Sequence, residues 1–161
     1  MRKLSLIAIS LFLTIGSARL TARDYVVGWG GRIGVTTDPK QVHLGVHADL
    51  CEIAERLRVQ PNIELGLGSD QTLVAINPEV NYLFLPRDRW TPYAGGGLGI
   101  NIVNFDKTAP GASSTDLEVG LNLLGGFETK IGSSSRFFAE VKFGVGDSPE
   151  VKFTAGFTIL E

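Results

Sequence analysis

The chain has 161 residues, 43% of them hydrophobic, with 20 glycines, one cysteine and a formal charge of −2. That length holds one ordinary domain, a lone cysteine excludes an internally disulfide-stapled scaffold, and 15 basic against 17 acidic residues exclude a nucleic-acid binder that works by bulk positive charge. Glycine stands at about 12% against a usual share of about 7% and follows no collagen-like period, so it needs local explanations.

Arg2 and Lys3 precede an apolar run over residues 4–15, shorter than the roughly twenty residues that a membrane helix needs. Small residues follow at Gly16, Ser17, Ala18, Thr21 and Ala22. A charged start, a short apolar stretch and a small-residue exit make a secretory signal peptide. It is expected over residues 1–22, cut after Ala18 or Ala22, with the mature domain over 23–161. Its loss removes three basic residues and no acid, leaving twelve basic against seventeen acidic residues, or −5. The exit has no cysteine for lipoprotein anchoring, and no later segment is apolar enough for a membrane helix.

From Tyr25 onward the chain alternates apolar residues with polar residues or glycine, the pattern of strands with two unlike faces. Strands are expected near 25–35, 41–50, 57–67, 72–84, 90–103, 116–129, 136–145 and 150–160. The only helix-compatible segment, 49–56, is too short to matter. The third strand is the clearest: Leu57, Val59, Ile63, Leu65 and Leu67 share one face with Pro61, and Arg58, Gln60, Asn62, Glu64 and Gly66 share the other.

Registers follow from the same parity. A two-residue turn at Ser69-Asp70 sets Ile63 against Ile76, Leu65 against Val74, Val59 against Val80, Asn62 against Asn77 and Arg58 against Asn81. A one-residue slip would mismatch both faces. Pro61 then opposes Pro78, and bulges or local breaks are expected there because proline cannot donate to the ladder. A last hairpin centred on Asp147 sets Val141 against Phe153, Ala139 against Ala155 and Phe137 against Phe157. Between strands four and five, Tyr82 is expected to face Pro92, with Glu79 beside Gly95 and Asn77 beside Gly97. Gly95, Gly97 and Gly99 would then leave room for bulky polar neighbours.

Three features direct the apolar face outward to lipid. The polar face carries mid-strand charges, four positive (Arg32, Arg58, Lys142, Lys152) and five negative (Asp49, Glu64, Glu79, Glu118, Glu140), among glycines and asparagines. Aromatics cluster at strand ends that share the N-terminal rim: Tyr25, Trp29, Tyr82, Phe84, Trp90, Tyr93, Phe127, Phe137 and Phe157, as in a membrane girdle. The longest connection, 104–115, falls on the outer side, with the others near 36–40, 68–71 and 146–149 and inner turns near 51–56, 85–89 and 130–135. The fold class is therefore all-β: an eight-stranded antiparallel up-and-down transmembrane β-barrel, whose interior is just wide enough to be filled by side chains. The alternative is a secreted soluble lipocalin-like barrel that binds an apolar ligand. It requires Arg58, Glu64, Glu79 and Lys142 to face solvent while Leu65, Val141 and Phe153 line a cavity.

The stretches 90–99 (WTPYAGGGLG), 124–128 (LGGFE) and 151–157 (VKFTAGF) resemble the small OmpA/OmpX-type outer-membrane barrels of Gram-negative bacteria, a resemblance that runs over residues 25–160. It implies export to the outer membrane, contact with outer-membrane lipid, assembly by the barrel-insertion machinery, and roles from structural support to adhesion. The chain departs from such barrels by ending in Phe157-Thr158-Ile159-Leu160-Glu161 rather than on an aromatic residue. A monomer is expected.

Candidate sites are few. His43 and His47 share a strand face with Asp49, but four residues along a strand separate the imidazoles by about 13 Å. Hydrogen-bonded lumen histidines are expected, not a metal site. Gly95-Gly96-Gly97-Leu98-Gly99 lacks the Lys-Ser/Thr and helix N-terminus of a phosphate loop. The mature serines all lie in connections, with no positioned nucleophile and base, so no catalytic residue, cofactor or enzyme activity is expected. Cys51 at the inner rim is expected to be an unpaired thiol.

Overall fold

The computed structural model describes residues 26–69, 71–105 and 114–161. The expected leader, Tyr25 and most of the 104–115 connection lie outside the described residues. The elements are β1 (Val26–Thr36), β2 (Gln41–Leu50), β3 (Glu52–Ala54), β4 (Leu57–Val59), β5 (Asn62–Gly68), β6 (Gln71–Asn77), β7 (Glu79–Leu83), β8 (Trp90–Phe105), β9 (Ser114–Ile131), β10 (Ser135–Gly146) and β11 (Val151–Leu160). Every pairing is antiparallel, β5 with β2 and β6, β4 with β3 and β7, β8 with β6, β7 and β9, and β1 closes on β11 from Gly28↔Leu160 to Thr36↔Lys152. With β4–β5 and β6–β7 each counted as one interrupted strand, and β3 as a short hairpin extension of β2 at the inner rim, the barrel has eight strands.

The third hairpin has the expected register: Ile63↔Ile76, Leu65↔Val74 and Asn62↔Asn77, then Arg58↔Asn81 and Val59↔Val80. Pro61 and Pro78 are where β4–β5 and β6–β7 break. The breaks fall on the outer ladders, since β2–β5 pairing stops at His47↔Asn62 and β6–β8 pairing stops at Ile76↔Ile100. Both prolines still accept: Ala48 N donates to Pro61 O at 3.1 Å, and Leu98 N to Pro78 O at 3.2 Å. The last hairpin also matches, with Phe137↔Phe157 and Val141↔Phe153.

One register is corrected. Between β7 and β8, Tyr82 pairs with Ala94, Val80 with Gly96 and Glu79 with Gly97, two residues from the expected register. The reversal is at Asp88, with φ 56°, inside a bridge where Arg87 and Trp90 exchange backbone hydrogen bonds of 2.7 and 3.0 Å. A two-residue slip keeps every side chain on its face, so parity cannot detect it. At the inner turn expected near 51–56, β3 pairs with β4 through Glu52↔Arg58 and Ala54↔Leu57, around Arg56 at φ 63°.

Burial is inverted relative to a soluble protein. Arg58, Glu64, Glu79 and Lys142 are 4% exposed or less, while Ile33, Val46, Ile63 and Phe153 project from the wall. Leu65 is also outward and exposed, so the soluble barrel with an apolar pocket has the wrong orientation. A wall of this kind is stable only where its surroundings are apolar. The aromatics form edge-to-face pairs near the inner turns, Tyr82 with Phe84, Trp90 with Phe127 and Phe137 with Phe157, with centroids 5.2, 4.9 and 5.3 Å apart. Tyr93 alone of the described set points inward and is buried.

Candidate functional site

The lumen is the place where this sequence concentrates its chemistry. Strand alternation sends Arg32 from β1, Glu64 from β5, Glu79 from β7, Glu140 and Lys142 from β10 and Lys152 from β11 to a common level. Glu64 is the hub. It accepts from Lys152 Nζ at 2.8 Å, Arg32 Nη1 at 3.3 Å and Lys142 Nζ at 3.4 Å. Arg32 also reaches Glu140 at 3.2 Å, and Lys142 reaches Glu79 at 2.5 Å. Tyr93 donates to the second oxygen of Glu140 at 2.9 Å, and the Arg32 guanidinium lies over the Phe138 ring, 5.3 Å from its centroid. Three cations and three carboxylates meet here.

A second layer lies nearer the inner rim. Arg58 donates to Glu128 at 2.8 Å and sits 3.7 Å from Asp49, while Arg136 pairs with Glu128 at 3.3 Å and with Asp49. Gln60 donates to Asp49 at 2.5 Å and accepts from Asn81 at 3.0 Å. Here two cations face two carboxylates. Toward the outside an amide ladder continues the network, Asn122 to Asn77 at 3.0 Å, Asn77 to Asn62 at 2.8 Å and Asn62 to Glu79 at 2.8 Å. Each of these three asparagines thereby finds a partner.

His43 and His47 stand apart from the ion pairs. His43 joins the hydroxyls of Thr36 and Thr154 at 3.2 and 3.0 Å, and His47 joins that of Thr158 at 2.9 Å. His43 thus bridges β1 and β11, whereas His47 bonds to β11 alone and also meets the edge of Phe138 at 5.2 Å.

Glu118 is the one charged residue of the predicted network that stands outside these layers. It is half-buried at the outer mouth, opposite Asn101, and lines a cavity of about 320 Å³ with Asp38, Asp147 and Glu150. β9 runs six residues beyond its last pairing with β10 at Gly120, which carries Glu118 above the buried cations. Conversely, Arg136 and Glu128 belong to the inner layer, although strand-centre reasoning passes over them. Their parity already placed them inward, but they lie at strand ends. Leu73, Ala75 and Val103 form an apolar plug inside the lumen near its outer end, where a purely polar face was expected.

The mouth is covered by the β10–β11 connection. Asn101 Nδ2 donates to Asp147 O at 3.0 Å, and Glu150 N donates to Asp38 O at 3.1 Å. Ser148 seats in a notch of Gly99, Gly120 and Gly144: its Oγ lies 2.7 Å from where a Cβ at 99 would stand, and its Cβ lies 2.8 Å from one at 144. Gly120→Leu is expected to expel this connection. Glutamyl endoproteinase should then cut after Glu150 in the variant and spare the parent, and equal resistance would refute the latch. Deeper down, Gly97 makes room for Glu79, whose Cγ lies 2.9 Å from the Cβ position, and Gly95 makes room for Asn81. Crowding is therefore the reason for these glycines, shifted by the two-residue register.

Cys51 is half-buried and free, just beyond β2. No group of His, Cys, Asp or Glu among the described residues could hold a metal ion.

No protein-family model matches the chain, and no characterised protein matches it in sequence. Solved structures do match. Neisserial surface protein A superimposes with a TM-score of 0.64 at 17% identity, over 85% of this chain and 96% of the other. The N-terminal β-barrel domain of Pseudomonas aeruginosa OprF gives 0.63 at 11% identity, over 84% and 98%. Ail, the attachment invasion locus protein of Yersinia pestis, gives 0.59 at 13% identity, over 82% and 94%. With its closed antiparallel meander, apolar outer wall and charged interior, the chain has the fold of the small eight-stranded outer-membrane β-barrels.

Proposed function

We propose that this chain is a monomeric outer-membrane barrel, assembled by the barrel-insertion machinery, whose role is structural or in interactions at the cell surface. The observation that carries this reading is the filled lumen. Two neutralised ion layers, an amide ladder, the plug of Leu73, Ala75 and Val103, and the latched Asp147–Glu150 connection occupy successive levels. Nothing in this sequence of layers suits bulk water or a diffusing solute, so an open porin is the wrong role. A non-enzymatic role is supported by the engagement of both histidines with threonine hydroxyls. Surface contacts then fall to the outer connections, where Asp38, Asp116, Glu118, Asp147 and Glu150 outnumber Lys40 among the described residues. An acidic rim of this kind disfavours polyanions such as the sucrose octasulfate held by one Ail structure.

The test is reconstitution in planar bilayers with parallel electrophoresis of boiled and unboiled samples. The expected result is a heat-dependent mobility shift with no steady conductance. Stable channel steps from a protein that keeps the shift would overturn the closed-barrel role.

A further inference from the structure

Two glycines of the outer wall follow a different rule from those of the lumen. Gly132 and Gly146 hold positive φ at turns. Every other described glycine but two would drive a Cβ to within 3.0 Å of a neighbour. The two are Gly31 in β1 and Gly125 in β9, where a Cβ would meet nothing nearer than 4.0 and 3.9 Å. Both sit on the outward parity, and neither turn geometry nor internal packing requires them. Glycine within a strand weakens it, and where the chain itself does not need one, it often marks the close approach of something else.

A hollow lies over these positions. Gly125, Ala139 and Ala155 floor a groove of about 620 Å³ on the outer wall, banked by Phe127 on the inner side and by Val141 and Phe153 on the outer. A second hollow of about 340 Å³ shares Ala155 and Ile33 with it and continues over Gly31, along the packed pair Phe137 and Phe157. Register makes the trough continuous: Ala139 faces Ala155 directly, Ala139 also faces Phe127, and Gly125 faces Val141. It crosses four strands, β9, β10, β11 and β1, a length of about 14 Å at the usual strand spacing. On the opposite wall large residues face one another, Val46 with Ile63 and Leu65 with Val74.

The geometry points to a seat for one acyl chain of an inner-leaflet phospholipid. The groove is part of the lipid-facing belt, so hydrocarbon is what meets it. A neighbouring upright barrel is convex and makes contact along its axis, whereas this trough runs around the wall behind projecting phenylalanines. A thin, flexible chain reaches the floor; a second barrel does not. Depth selects the leaflet. Ala139 is four residues from the inner end of β10, and Trp29 and Trp90, suited to headgroup level, lie at the same end.

This inference rests on membrane insertion and is independent of any surface role. The test is a phosphatidylglycerol carrying a photoactivatable group at mid-chain, incorporated into vesicles with the folded full chain, with adducts mapped by mass spectrometry. Labelling is expected to be several-fold stronger on β9–β11 and β1 peptides than on the wall around Val46 and Ile63. Gly125→Leu and Ala139→Leu should bring it down to that wall's level while the heat-dependent mobility shift persists. If either variant loses the shift, Ala155→Val takes its place. Even labelling around the belt, unchanged labelling in filled barrels, or stronger labelling from a lipid A probe would each overturn the assignment. A barrel that failed to insert would label on neither wall, and that outcome would overturn the inference together with the membrane placement beneath it.

Discussion

Glu64→Gln is expected to lower the unfolding free energy of the barrel by about 3–5 kcal/mol, the usual cost of removing one partner from a buried ion cluster. Glu64 is fully buried and receives three cations, Arg32, Lys142 and Lys152. Glutamine keeps the shape and one acceptor oxygen but leaves an uncompensated positive charge in a closed lumen. The same change at Glu128, which is slightly exposed and near the rim, should cost less, because water can reach the arginines left behind. Urea titration of the barrel folded in phospholipid vesicles reads both. Adding Lys152→Met to Glu64→Gln should recover part of the loss, since the pair restores neutrality. A loss below about 1 kcal/mol, the scale of an exposed ion pair, would show that the cluster is not a unit.

The second large effect is expected on the opposite face of the same strand. Ile63 neighbours Glu64 in sequence but points out of the wall, half-exposed in mid-strand. Ile63→Arg should cost about 2–4 kcal/mol in a bilayer, the range for a cation near the membrane midplane. At Ile53, which is more exposed and lies in β3 beyond the barrel wall, the same substitution should cost about 0–1 kcal/mol, as near an interface. The contrast between two isoleucines of similar exposure is the informative quantity. Equal, small costs at both sites would mean that the wall around Ile63 meets water instead of lipid.

Much of this architecture was legible because strands in a barrel have a strict period of two. The alternation of Leu57–Leu67 fixed both faces of the third strand, and the two-residue spacing between Gly68 and Gln71 set its register with β6. The breaks at Pro61 and Pro78 were legible for a chemical reason, the missing N–H. Other features were not, each for a physical cause. The β7–β8 register was misjudged by two residues, since parity is blind to even slips and the turn at Asp88 carries no glycine to mark it. Arg136 and Glu128 escaped notice because strand ends offer too few alternations to separate lumen from rim. The seat of Ser148 on Gly99, Gly120 and Gly144 joins three strands and a turn, a conjunction no local window contains. Glu118 was grouped with the buried charges because sequence gives parity but not height, and β9 extends past its neighbour.

The layering of the lumen bears on how the barrel responds to an electrical potential. Arg32, Lys142 and Lys152 balance Glu64, Glu79 and Glu140 at one height, and Arg58 and Arg136 balance Asp49 and Glu128 at another. A field across the bilayer does work of about 2.3 kcal/mol per elementary charge per 100 mV. Within each level the pulls on cations and carboxylates are opposite and cancel, so displacing a whole level gains nothing from the field. Only tearing one level apart would couple to voltage, against the attraction of the pairs themselves. The interior is thereby densely charged yet electrically indifferent to the membrane around it.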